Sequence, residues 1–400
     1  QTLYKKNQLE IILVNTGSEH NEDIVIEKYL SSYSNIKYIK VQNRETIYSA
    51  WNRGIKAASG KYLTNANTDD RHKKDALEIM CTFLDNNNDI DVVYADQFIT
   101  INANDSWERM DSRNQQKWAA FDKDLILFGC FIGPQPVWNK RLHDKFGLFN
   151  DQLKVVGDYE FWLRISRDAK FYHLKETLGI YYFSPDSAEH RDNSVTKYEN
   201  KMIQEYYLAK YVSSINEIEI LRRKIKSFDL NSVTDEYVKN ANELISKREE
   251  GIYLEKEMTG FLNSIKKLTD EEIIEKGKYF LQKMENSDSI LNRNDFQESI
   301  NTILGFYYLE NNYLQESRNC FENILDVNNT SSVACEGLGK IFMMESEFNS
   351  AKTMLEWAVK NNPQNFNAIE ALKTVNQNLS LAEDHNSLFE NETITVKAQV

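Results

Sequence analysis

Two adjacent carboxylates, Asp69 and Asp70, end a run of small polar residues, Thr64-Asn-Ala-Asn-Thr-Asp-Asp70. The run follows a short apolar stretch, Lys61 to Thr64, and precedes a helical pattern that opens near Asp75 with Leu77, Met80, Cys81 and Leu84. The acidic pair therefore sits where a strand leaves a sheet, and in open α/β sheets ligands bind at that carboxyl end. Neighbouring carboxylates repel unless a cation or a hydrogen-bonding ligand compensates. Hard divalent cations take oxygen ligands and bridge carboxylates to phosphates. One reading is a metal–diphosphate site; the other is a pair of loop or N-cap aspartates before a helix.

The elements that must position this pair follow from periodicity. Leu9 to Val14 reads as a buried parallel strand ended by Asn15-Thr-Gly-Ser18, Ile36 to Val41 as a second strand, and Asp23 to Tyr33 as the helix between them. Ile47, Ala50, Trp51, Gly54, Ile55 and Ala58 recur at helical spacing. On that helix Asn52 and Arg53 either point to a ligand, Arg being suited to a diphosphate, or form a solvated face. Arg71 either balances a diphosphate or forms an exposed ion pair. Asp91 to Ala95 and Leu178 to Phe183 read as further strands, and Asn102 to Gln116 as a mobile polar excursion.

Four stretches carry a resemblance. They are Tyr48-Ser-Ala-Trp-Asn-Arg-Gly-Ile-Lys-Ala-Ala-Ser-Gly-Lys-Tyr62, the acidic loop, Asp91-Val-Val-Tyr-Ala-Asp96 and Gly157-Asp-Tyr-Glu-Phe-Trp-Leu-Arg164. In this order and at these separations they resemble the family 2 glycosyltransferases of GT-A fold, over about Gln1 to Tyr207. The resemblance implies an α/β, Rossmann-like, mostly parallel sheet. It implies Mg²⁺ or Mn²⁺ on Asp70, Asp69 on ribose or metal, and Asp158 at a helix start as the general base, with Glu160 as the alternate acid. His190, in a late polar loop, matches the further metal ligand that some such enzymes use. Asn15, Asn52, Arg53, Asn67 and Arg71 fall where the donor is contacted. Asn67 stands where many relatives have a carboxylate, and Asn15 and Thr16 where acidic residues are usual. Trp138 either stacks on a sugar or packs in the core. The family pattern begins with a strand and helix earlier than Gln1, so the sequence reads as N-terminally truncated.

The chain has 400 residues, is 41% hydrophobic and 12% aromatic, and carries a net charge of −13. The size allows two or three domains, and the charge argues against a nucleic-acid binder. No apolar run reaches the length of a membrane span and no signal peptide opens the sequence. Cys81, Cys130, Cys320 and Cys335 lie far apart, as in a cytoplasmic protein with reduced thiols. From Glu199 the pattern is helical and highly charged, with helices expected at about 199–226, 233–266 and 270–286. Leu304-Gly305-x-x-Tyr308 is then echoed by Leu338-Gly339-x-x-Phe342, an offset of 34 residues, the tetratricopeptide period. Such repeats stack and present a surface to peptides or proteins. The expected organisation is 1–212 a GT-A domain, 213–297 a helical connector, 298–380 tetratricopeptide-like repeats with a capping helix, and 381–400 a frayed tail.

The leading expectation is a metal-assisted, inverting transferase. It moves a sugar from a nucleotide-diphosphate sugar to a glycan, lipid-linked or protein acceptor in bacterial surface-glycan or protein glycosylation. It acts in the cytoplasm or at the inner face of the membrane, with a protein partner on the repeats. The alternatives are a non-catalytic repeat scaffold beside a degenerate sugar-nucleotide domain, and a nucleotidyltransferase.

Overall fold

The computed structural model describes the chain apart from residues 19, 21, 185–192, 229–234, 286, 288–289, 291–292 and 396–400; side chains of residues 112 and 382–395 also lie outside the description. The chain divides into two compact units, Gln1–Glu249 and Glu250–Val400. The division falls within the segment read as a connector.

In the first unit a short helix, α1 (Thr2–Lys5), leads to β1 (Ile11–Thr16), which pairs in parallel with β2 (Ile36–Val41) across the crossover helix α2 (Glu22–Leu30). The helix α3 (Ile47–Ala57) follows, its first turn capped by the Thr46 hydroxyl, which accepts from the Ser49 N–H. A second sheet runs in the order β3 (Tyr62–Thr64), β7 (Val137–Asn139), β5 (Val92–Thr100), β8 (Phe171–Tyr182), β4 (Arg71–His72), and β6 (Gln115–Gln116) adds to β5. The two long pairings, β1 with β2 and β5 with β8, are parallel; the short strands β3, β4, β6 and β7 pair antiparallel. The larger sheet is thus mixed, and the longest ladder of each sheet is parallel.

Two strands outrun their sequence reading. β5 continues to Thr100, and β8 begins at Phe171 rather than Leu178. The cause is a register shift: Ala95 faces Leu174 while Asp96 faces Thr177, so the exposed Lys175 and Glu176 bulge out and break the alternation. The polar excursion 102–116 is built from two 3₁₀ turns, Trp107–Arg109 and Ser112–Asn114, and ends as β6. The helix α4 (Ala76–Asn86) buries Ala76, Leu77, Met80 and Leu84 against Val93, Val137 and Leu178. A short helix α5 (Arg141–Phe146) and the helix α6 (Gly157–Ile165) complete the core, with Phe161, Leu163 and Ile165 fully buried.

The single helix expected over 199–226 is two: α7 (Asn193–Tyr211) and α8 (Ile215–Ser227). Ser214 stops one and starts the other, through a capping box with Glu217 that satisfies the first amides of α8. The helix α9 (Asp235–Ser264) contains the boundary between the units.

The second unit continues with α10 (Asp270–Glu285), α11 (Arg293–Glu310), α12 (Leu314–Val327), α13 (Ser332–Met344), α14 (Phe348–Asn361) and α15 (Phe366–Thr395). The last stays helical beyond Glu383, where fraying was expected. The 34-residue offset reappears in packing. A Cβ on Gly305 would stand 2.8 Å from the Phe321 ring, and a Cβ on Gly339 would stand 2.6 Å from Leu355 Cγ. Both glycines let helices approach closely at equivalent positions.

Candidate active site

The acidic loop joins β3 to β4. β4 pairs with β8 through Arg71–Ile180 and His72–Gly179, which draws Asp70 against the end of β8. There the Asp70 carboxylate is 8% exposed. Its Oδ1 accepts from the Tyr182 backbone N–H at 3.0 Å and its Oδ2 from the Asn67 amide at 3.0 Å. Burial pushes its pKa up to about 6, against the opposing pull of those two donors. Asp69 beside it is exposed. Arg71 turns back onto the loop, donating to the carbonyls of Asp70 at 2.8 Å and Thr68 at 3.4 Å. Asn65 donates to the Pro134 carbonyl, and its own carbonyl accepts from His72 Nε2 at 3.2 Å.

Asp158 stands in the first turn of α6. The Tyr48 hydroxyl lies 3.1 Å from its Oδ1 and within reach of the Val155 carbonyl, the two acceptors sharing its one proton. Tyr48 is 3% exposed, and burial raises its pKa, so it stays a protonated donor. The ring presses on Gly157, where a Cβ would come within 2.7 Å. The loop before Asp158 is fixed from a third side: the Glu199 carboxylate accepts from the N–H groups of Lys154, Val155 and Val156 at 2.8, 2.9 and 3.3 Å.

The segment 125–136 runs between these two clusters. At one end the Ile126 carbonyl accepts from Tyr159, the neighbour of Asp158. At the other, Pro134 holds Asn65 and the Gln135 amide donates to the Ile180 carbonyl at 3.3 Å.

Other expected site residues have different partners. Asn52 is buried at 7% exposure and its amide is paired twice with the Phe149 backbone, at 2.9 and 3.0 Å. It fastens α3 to the loop ahead of α6 rather than facing a ligand. Arg53 forms a fork on Glu45, at 2.7 and 2.6 Å, on the outer surface. Asn15 caps its own turn, accepting from the Ser18 N–H at 3.0 Å. Glu160 is buried against Arg164 and Tyr207, so its carboxylate is committed to the fold. Trp138 is core, 3% exposed in β7. His190 lies outside the described residues. Tyr48, Glu199 and the Tyr182 N–H were missed from sequence; only Tyr48, inside a motif already singled out, carried a signal.

Among the described residues no group of three or more His, Cys, Asp or Glu side chains is arranged to hold a metal. A buried carboxylate with a raised pKa beside a second, exposed one nonetheless suits a hard cation that takes its remaining ligands from phosphate and water, as Mg²⁺ commonly does.

Residues 1–160 match the family model described as glycosyl transferase family 2. Curated relatives agree in class. An uncharacterized glycosyltransferase of Methanocaldococcus jannaschii is 25% identical over 50% of this chain and 67% of its own length. The glycosyltransferase YwdF of Bacillus subtilis, also uncharacterized, is 23% identical over 54% and 82%. A PGL/p-HBAD biosynthesis glycosyltransferase of Mycobacterium bovis is 27% identical over 39% and 57%. Among solved structures, S. aureus TarS 1-349 in complex with UDP aligns over 90% of this chain and 84% of its own, with 14% identity and a TM-score of 0.41. A mannosyltransferase from Pyrobaculum calidifontis, in complex with GDP-Man and Mn²⁺, aligns over 61% and 67%, with 9% identity and a TM-score of 0.40.

Proposed function

We propose that the protein transfers a sugar from a nucleotide-diphosphate sugar to an acceptor hydroxyl, with inversion at the anomeric carbon. The observation that carries this reading is Asp70: a carboxylate buried at a strand end, at an electrostatic cost that a bound cation would relieve. Asp70, with Asp69, would hold Mg²⁺ or Mn²⁺ against the donor's diphosphate; the ion, when bound, offsets negative charge on the leaving diphosphate. Asp158 accepts the acceptor's hydroxyl proton as that oxygen bonds to the anomeric carbon and the bond from that carbon to the diphosphate breaks. Tyr48 and Glu199 hold Asp158 and its loop in place. Asn67 serves Asp70 as a hydrogen-bond donor rather than as a ligand.

The acceptor is a glycan, lipid-linked or protein hydroxyl of a bacterial surface-glycan or protein-glycosylation route. The repeated Gly305–Phe321 and Gly339–Leu355 packing supports a tetratricopeptide-like second unit that receives a protein partner. Among the described residues no helix is long and apolar enough to cross a membrane. The test is calorimetry with Mn²⁺ and a panel of nucleotide-diphosphate sugars. Donor binding that needs Mn²⁺ and is lost in Asp70→Asn supports the reading; metal-independent binding, or none, removes it.

A further inference from the structure

The outer face of α7 has a composition unlike the rest of this acidic chain. Tyr198, Met202 and Tyr206 follow one another at four-residue intervals and are 69%, 42% and 59% exposed. They form one ridge along the helix. Lys210 continues the ridge, its ammonium 5.5–5.8 Å from the ring centroids of Tyr206, Tyr207 and Tyr211. Lys197 and Lys201, both exposed, stand beside its first half.

The two carboxylates of α7 are turned away. Glu199 and Glu205 are each 6% exposed. Glu199 is bound to the 154–156 amides, and Glu205 lies 3.2 Å from Lys247 and 3.9 Å from Lys201. Past Lys210 the surface opens into a hollow of about 440 Å³ that also takes in Lys123, Arg167 and Ile220. The acids on that hollow are already engaged: Asp124 by Arg167 and Lys224, and Glu217 by the Ser213 and Ser214 amides. Lys123 and Lys210 are what the hollow turns outward.

We propose that this face docks on an anionic lipid surface. A chain of net charge −13 is repelled by such a surface except where cations cluster, as Lys197, Lys201 and Lys210 do along this helix. A convex ridge encloses nothing, and suits a flat partner. Tyrosines with apolar bodies and polar tips settle at headgroup level, and lysines lay their stems along the apolar ridge while their ammonium groups reach lipid phosphates. Attachment through this face by itself is weak and reversible. Since α7 also anchors the loop before Asp158, docking sets the orientation of the acceptor side.

Vesicle flotation of the whole protein tests it, with phosphatidylcholine alone and with phosphatidylglycerol added. The protein floats only with the anionic vesicles, and raised salt releases it. Each lysine near such a surface contributes about fivefold, so Lys197→Gln with Lys201→Gln weakens binding roughly 25-fold. Tyr198→Ser with Tyr206→Ser, also on the exposed face, weakens it while leaving the melting temperature unchanged. Equal binding to both vesicle types, or indifference to both double variants, overturns the proposal. So does binding to soluble inorganic polyphosphate without binding to vesicles, which would make the face a polymer site.

Discussion

Tyr48 Oη lies 3.1 Å from Asp158 Oδ1, with the buried Tyr48 ring wedged against Gly157. The pair links α3, which carries one sequence motif, to the first turn of α6, which carries another. Tyr48→Phe keeps the ring and removes the donor. We expect kcat to fall roughly tenfold and stability to drop by about 1 kcal/mol, with the donor KM changed by less than about twofold. Steady-state kinetics on the variant checks this.

Asp70 makes stability depend on pH. Its folded pKa is about 6, above the ordinary 3.8. A raised carboxyl pKa contributes stability that is fully present below the unfolded value and lost as pH rises through the folded one. The window is therefore pH 4 to 6. Above it the charged, buried carboxylate costs on the order of 2–3 kcal/mol. Without divalent cations, Asp70→Asn melts higher than the native protein at pH 7.5, and the gap closes by pH 4. Mn²⁺ at pH 7.5 raises the melting temperature of the native protein and leaves the variant unmoved.

Asn52 and Arg53 are neighbours with opposite predicted consequences. Asn52→Ala strands the buried N–H and C=O of Phe149 and costs about 2–4 kcal/mol. Arg53→Ala removes only an exposed pair with Glu45 and changes stability by less than about 0.5 kcal/mol. Chemical denaturation of both variants measures the difference.

In the second unit, one substitution has two signs. Gly260 has no atom within 4 Å of its missing Cβ, so Gly260→Ala gains helix propensity and stabilises by about 1 kcal/mol. Gly339→Ala gains the same propensity but drives a methyl into Leu355, and loses about 1 kcal/mol net. Thermal unfolding of the two variants tests the repeat packing.

The parts of the fold legible from sequence are those fixed by local pattern. β2 spans Ile36–Val41 as read, and α10 ends within a residue of its expected end, because apolar periodicity and caps are local. β8 was cut short because its bulge carries two charged residues. The proposed site was legible only as residue types: Asp69, Asp70 and Asp158 are visible as acids at element ends. Their partners were not. The Tyr182 N–H that holds Asp70 is 112 residues away and backbone has no sequence signature, and the Phe149 groups that engage Asn52 are 97 residues away. Helical spacing placed Asn52 on a face without saying what that face meets.

The most direct measurement compares Asp158→Asn with Asp70→Asn in one assay of Mn²⁺-dependent donor binding and nucleoside diphosphate release. The account predicts that Asp158→Asn binds donor as the native protein does but turns over at least about a thousandfold more slowly, while Asp70→Asn loses metal-dependent binding. Native turnover in Asp158→Asn, or native metal-dependent binding in Asp70→Asn, would contradict it.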